Sequence, residues 1–154
     1  MRRIICLALL LVTSVIAEEV RPLFLPFDVT LGGQKAQMKD QNDLFAVVEK
    51  PVKPDANLTI SKNAPILIIN AFACKEDGSV DQNTPAAVIF AQNTATTPMN
   101  ATMDKQPLKP GTYLMNIVAH QATARVVFTV EDPASKLKFP SLDSILGFLK
   151  KKTR

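Results

Sequence analysis

Between Leu108 and Asp132, apolar residues recur at every second position in two runs, 112–119 and 123–131, the period of strands whose side chains point to opposite faces in turn. In 112–119, Tyr113, Met115, Ile117 and Ala119 share one face and Thr112, Leu114, Asn116 and Val118 the other, so both faces carry apolar groups. In 123–131, Ala124, Val126, Phe128 and Val130 oppose Thr123, Arg125, Val127, Thr129 and Glu131, which predicts one buried face and one wet face. Only His120, Gln121 and Ala122 join the two runs. That link is too short for the crossover that parallel pairing needs, so an antiparallel hairpin is expected.

Shorter patterns precede this hairpin. Pro22 and Pro26 interrupt 23–27, the mark of an edge strand or extended arm. Phe27, Val29 and Leu31 alternate up to Gly32-Gly33, and Ala36 and Met38 alternate after it, which is a two-residue hairpin signature. Leu44 to Glu49 reads as a strand closed by Pro51 and Pro54. VKPDANLTI at 52–60 echoes LKPGTYLMNI at 108–117, the same turn leading into a strand, and nothing in the flanks repeats. Pro65 opens ILIINAFA at 66–73, whose two apolar faces and branched side chains suit a central strand covered on both sides. Asn70 within it needs a hydrogen-bonding partner if buried. Ala86 to Ala91 is another strand, and 92–104 turns weakly strand-like after Pro98. The runs number about seven or eight, with no helical period among them, which is an all-β pattern.

The entry to the first long strand adds a local resemblance. Pro110 fixes φ and Gly111 permits positive φ, making Lys109 to Thr112 a turn, and Tyr113 follows at the mouth of the strand. This corner resembles that of immunoglobulin-like and fibronectin-type sandwiches, in which a tyrosine early in the penultimate strand bonds back to the preceding loop. The resemblance covers about 25 residues and implies an architecture without an activity. The expected fold is an antiparallel β-sandwich of about seven or eight strands with a short C-terminal amphipathic helix.

Both ends differ from the middle. Arg2 and Arg3, an apolar run from Ile4 to Val12, and Val15-Ile16-Ala17 before Glu18 have the form of a secretory signal peptide cut near Ala17. The run is too short to span a bilayer comfortably, which takes roughly 20 apolar residues. Removing 17 of the 154 residues leaves 137, enough for one domain. The expected division is 1–17 signal peptide, 18–134 sandwich and 135–154 basic linker and tail. In that tail Ser141 can cap a helix in which Leu142, Ile145, Leu146 and Leu149 form a stripe, with Asp143 in the first turn and Lys150, Lys151 and Lys152 in the last. So short a helix is marginal alone in water and needs a surface, either the sandwich or an anionic membrane or partner.

Charge follows the same division. The formal net charge is +4. From Glu18 to Ala134 ten basic residues face thirteen acidic ones, while Ser135 to Arg154 holds six basic residues and one acid. The basic balance belongs to the tail, which removes the electrostatic warrant for a nucleic-acid-binding domain.

Candidate chemistry is sparse. With residues 1–17 removed, Cys74 is the sole cysteine, so an intrachain disulfide is excluded, and its position at the end of an apolar strand suits a small buried hydrophobe. His120 is the one histidine and has no second His or Cys at a ligand spacing, so no metal or cofactor is expected. No serine lies in a nucleophile-elbow context, and the paired glycines belong to a hairpin rather than a phosphate loop. In 75–85, Asp77, Ser79 and Asp81 alternate like the first ligands of a calcium loop, but Gln82 and Val88 stand where glycine and glutamate are required. Two sequons, Asn57-Leu58-Thr59 and Asn100-Ala101-Thr102, suit glycosylation in a eukaryotic secretory pathway.

These features predict a non-enzymatic periplasmic or secreted protein, a binding or structural accessory of the envelope or extracellular space, partnered by a protein or envelope component. The expected contacts are loops at one end of the sandwich, carried by Lys75, Glu76, Asp77, Ser79 and Asp81 in one loop and His120 and Gln121 in the other. The alternative is a peripheral membrane or assembly factor. It would act through Leu142, Ile145, Leu146, Leu149 and Lys150 to Lys152 against anionic lipid.

Overall fold

The computed structural model describes residues 25–40 and 44–132. Its seven strands are β1 (Val29–Leu31), β2 (Gln34–Lys35), β3 (Ala46–Val47), β4 (Asn57–Ala73), β5 (Ala87–Pro98), β6 (Gly111–Ala119) and β7 (Ala122–Val130). They form one curled, mixed sheet. The order is β2-β1-β4-β6-β7-β3, with β5 also paired to β4. All pairs are antiparallel except β3 with β7, which is parallel.

The reason for one sheet lies in β4. Pro65 does not open this strand; β4 runs through it for 17 residues. Its pairing with β5 shifts between Thr59 and Ala64, a bulge of the kind that bends a strand and increases its twist. On the side away from β5, the first part of β4 pairs with β1 and the last part with β6, from Ile68 onward. Pro65 falls between those two partners, where one flank of β4 has no ladder for its missing N–H to interrupt. Across the bulge β5 also continues past Ala91, where the strand was expected to stop, and Asn93 takes a positive φ of 51° next to the shifted register.

Two tight turns fix the hairpins. Gly32 and Gly33 have φ of 57° and 78°, and Leu31 pairs with Gln34 across them, the backbone of a two-residue turn matched to strand twist. At Gly32 a side chain would also press on Val52, whose Cγ1 lies 3.1 Å from a Cβ built there. The β6–β7 turn has the same form. His120 and Gln121 have φ of 52° and 61°, and Ala119 pairs with Ala122, so the link is two residues rather than the three expected. Neither residue is glycine, and the left-handed backbone is held here by contacts of the His120 ring, edge-on to Phe27 at 6.3 Å and 3.4 Å from the carbonyl oxygen of Lys62.

One alternating set from each long strand is found inside. Tyr113, Met115, Ile117 and Ala119 of β6 and Ala124, Val126, Phe128 and Val130 of β7 all lie in the main core with Leu31, Leu58, Leu67, Ile69 and Ile89. The corner at Tyr113 also forms: its hydroxyl donates to the Lys109 carbonyl at 2.7 Å, and its ring stacks on Phe128 at 5.7 Å. The expected wet face of β7 is corrected, because Val127 and Thr129 on it are buried. Leu44 to Glu49 contributes only the two residues of β3, and residues 25–28 form no strand. The C-terminal helix expected from the sequence falls on residues outside those described.

Candidate functional site

Because β4, β6 and β7 alternate, their second set of side chains lines the outer face of the sheet in rows set by register. Thr112 of β6 faces Thr129 of β7, both buried, with their hydroxyls 3.1 Å apart. In the next row Leu114 faces Val127 and Phe72. These three pack with Phe45, Val47 and Val80 into a second, smaller core, and Leu44 and Cys74 lie against it. Burial pushes the Cys74 thiol up to about 11, only partly offset by a backbone hydrogen bond at Leu114. A thiol so poised stays protonated and unreactive at neutral pH.

One row further, Asn116 lies between Asn70 and Arg125, and Val88 pairs with Asn70. The Oδ1 of Asn116 is buried and has no hydrogen-bond partner. Burial also lowers the pKa of the half-buried Arg125 guanidinium, and it takes part in no ion pair found among the described residues. Beyond this polar row the face turns apolar and open. Val118 faces Ile68, and Ile68 faces Phe90; Phe90 is 48% exposed and Ile66, two residues before Ile68, is 52% exposed. A groove of about 420 Å³ runs from Pro65 and Ile66 past Val118 and Ala119 to His120 and Gln121.

No protein family, curated relative or solved structure matches this chain. The site is therefore read from its own geometry.

Of the residues expected to carry function, His120 and Gln121 line this groove. Lys75, Glu76, Asp77, Ser79 and Asp81 do not join them. Their loop follows β4 beyond Ala73, which pairs with Tyr113, whereas His120 caps the other end of β6. The two loops stand at opposite ends of the strands, which corrects the expectation that they share one end. The acidic loop is also occupied with its own turns. Asp77 Oδ1 accepts the Ser79 N–H at 2.8 Å, and Asp81 Oδ1 accepts the Asn83 N–H at 2.9 Å. The side-chain and backbone hydrogen bonds from Ser79 hold the Asp77 carboxyl below its ordinary pKa. Carboxylates spent on local turns are not aimed at a shared cation, and no group of three metal-ligating side chains occurs among the described residues.

Leu142, Ile145, Leu146, Leu149 and Lys150 to Lys152 lie outside the described residues. The residues that sequence reasoning missed are Ile66, Ile68, Phe90, Val118 and Arg125. Their signal is present: two adjacent strands apolar on both faces require two covering layers, and the described residues supply only part of the second.

Proposed function

We propose that the protein is an exported, non-enzymatic binding or structural accessory of the envelope or extracellular space, working through the open part of its outer sheet face. The observation that carries this reading is the apolar step from Val118 and Ile68 to the exposed Phe90 and Ile66, beside a groove at the hairpin tip. Contiguous apolar surface with a polar border suits a macromolecular partner. The rigid ladder of β4, β5 and β6 presents it without loop ordering, which lowers the entropic cost of association.

A photo-crosslinking phenylalanine analogue at position 90, in the full mature chain within the extracytoplasmic fraction of the producing cell, tests this. A discrete adduct is expected from position 90 and none from position 34, on another part of the sheet. Excess wild-type chain should compete it away, and the Phe90→Asp chain should not. Equal adducts from both positions, or none from position 90, would overturn the reading.

A further inference from the structure

Between the covered apolar row of Leu114 and the open one of Val118, the outer face carries a polar row: Arg125, Asn116 and Asn70, side by side on β7, β6 and β4. The Arg125 guanidinium is half-buried and has no acidic partner in any ion pair of the described residues. Beside it, the Oδ1 of Asn116 is buried with no hydrogen-bond partner. The row thus holds a cation without a counter-charge and an acceptor without a donor. An occupant that brings a carboxylate to the one and an N–H to the other offsets the desolvation of both.

We propose that the open face binds a segment of a partner protein in which an aspartate or glutamate is followed by apolar side chains. The carboxylate meets Arg125, a peptide N–H meets Asn116 Oδ1, and the apolar side chains cover Val118, Ile68 and Phe90. The inference rests on the open face being the binding surface and adds the chemistry of what that surface takes.

Charge, hydrogen bonding and span all favour such a segment. Residues 82–103, which include all of β5, carry no charged side chain, so Arg125 sets the sign of the potential over this row and an acid is attracted to it. An ionised fatty acid would match the cation and the apolar row, but it has no donor for Asn116, whereas a peptide has one at nearly every residue. From β7 to β5 is about 14 Å at roughly 4.8 Å between strands, and Phe90 lies one row, about 7 Å, beyond Arg125, a separation of about 16 Å. About eleven helical residues or five extended ones cover that distance. The half-exposed Ile66 and Phe90 offer on the order of 200 Å², which suits a short segment better than a second copy, since each partner in a stable dimer buries roughly 800 Å².

The test selects peptides from a phage-displayed random dodecapeptide library on the purified full mature chain. Peptides with an acidic residue followed by apolar ones are expected to dominate. A selected peptide, synthesised free, should bind the wild type about tenfold more tightly than its acid-to-amide form, the scale of one hydrogen bond to a charged group. Arg125→Gln should bind the two forms alike, and Phe90→Asp should bind neither. The comparison of the two peptides on the wild type stands even if a variant misfolds. No enrichment, peptides without an acid, or an acid that matters as much in Arg125→Gln as in the wild type would each overturn the inference. Oleate that displaces the peptide and needs Arg125 would also overturn it, in favour of an anionic lipid, as would dimers of the chain that exclude the peptide. The function proposed above fails differently. A position-90 adduct in the cell fraction that persists in the Arg125→Gln chain removes the acidic segment and leaves the binding face. Peptides that need Arg125 but bind Phe90→Asp unchanged, with no adduct from position 90, remove the open face as the binding surface and this inference with it.

Discussion

The two ends of the outer sheet face are built from the same strands and the same alternation, yet one is a small core and the other is surface. At the end near Gly111, Phe72, Leu114 and Val127 are covered because β3 brings Phe45 and Val47 alongside β7, and the loop after β4 turns Val80 back by pairing it with Cys74. At the end near His120, the described residues place Phe90 and Ile66 half in solvent. Side-chain period thus decides which residues share a face. Whether that face is covered depends on distant segments.

Two phenylalanines on this face measure the difference. Phe72 lies in the covered cluster and Phe90 at the open end. Phe72→Ala should destabilise the protein by about 3–5 kcal/mol in urea unfolding, the cost of an emptied core site, whereas Phe90→Ala should cost about 1 kcal/mol or less. Equal losses would show that the open end is covered as well as the other, and the comparison would fail.

The second test is a pH dependence confined to the covered end. The Cys74 thiol has an ordinary value near 9 and is raised to about 11 by burial. Between those values the folded state keeps a proton that the unfolded chain releases, so stability is complete below about pH 9 and falls as pH rises toward about 11. Because the residue is only half-buried, the loss is on the order of 1–2 kcal/mol after allowing for solvent screening. Tyr113, whose phenol is pushed up first by burial and then by the Cys74 charge, adds a decline of the same sign. Subtracting the profile of Cys74→Ala from that of the wild type should give the part due to the thiol together with its charge's share of the Tyr113 shift. Identical slopes would mean that the thiolate is not disfavoured in the fold.

The same division separates what the sequence makes legible from what it does not. The inward faces of β6 and β7, the Gly32-Gly33 turn and the Tyr113 corner follow from local alternation and turn chemistry, and each is present. The sandwich does not follow, because a period of two is the same in two facing sheets as in one curled sheet. The prolines also mislead. Pro65 and Pro98 punctuate the sequence but lie within the bounds of β4 and β5, and the shifted pairing at Thr59 and Ala64 joins runs that looked separate. The parallel pairing of β3 rests on two residues, too few to show a period. For the site, His120 and Gln121 were legible as a tight polar tip. The apolar residues beside them read as core, because their own pattern carries no sign of how far the second layer extends.

Asn116 marks the boundary between the two ends and gives the smallest test. Its Oδ1 is buried with no hydrogen-bond partner, and an orphaned acceptor of this kind costs about 1–3 kcal/mol of desolvation. Asn116→Val removes that acceptor and places a strand-favouring apolar side chain between the covered row of Leu114 and the open row of Val118. Some polar contact of the amide nitrogen with water is lost in exchange, so the expected gain is about 1 kcal/mol or less in urea unfolding. A gain of that size would show that the apolar surface can run unbroken from one end of the face to the other. A loss would show that the amide is satisfied from above the sheet, by water or by a segment lying across it, and the boundary would then belong to the binding surface rather than to the core.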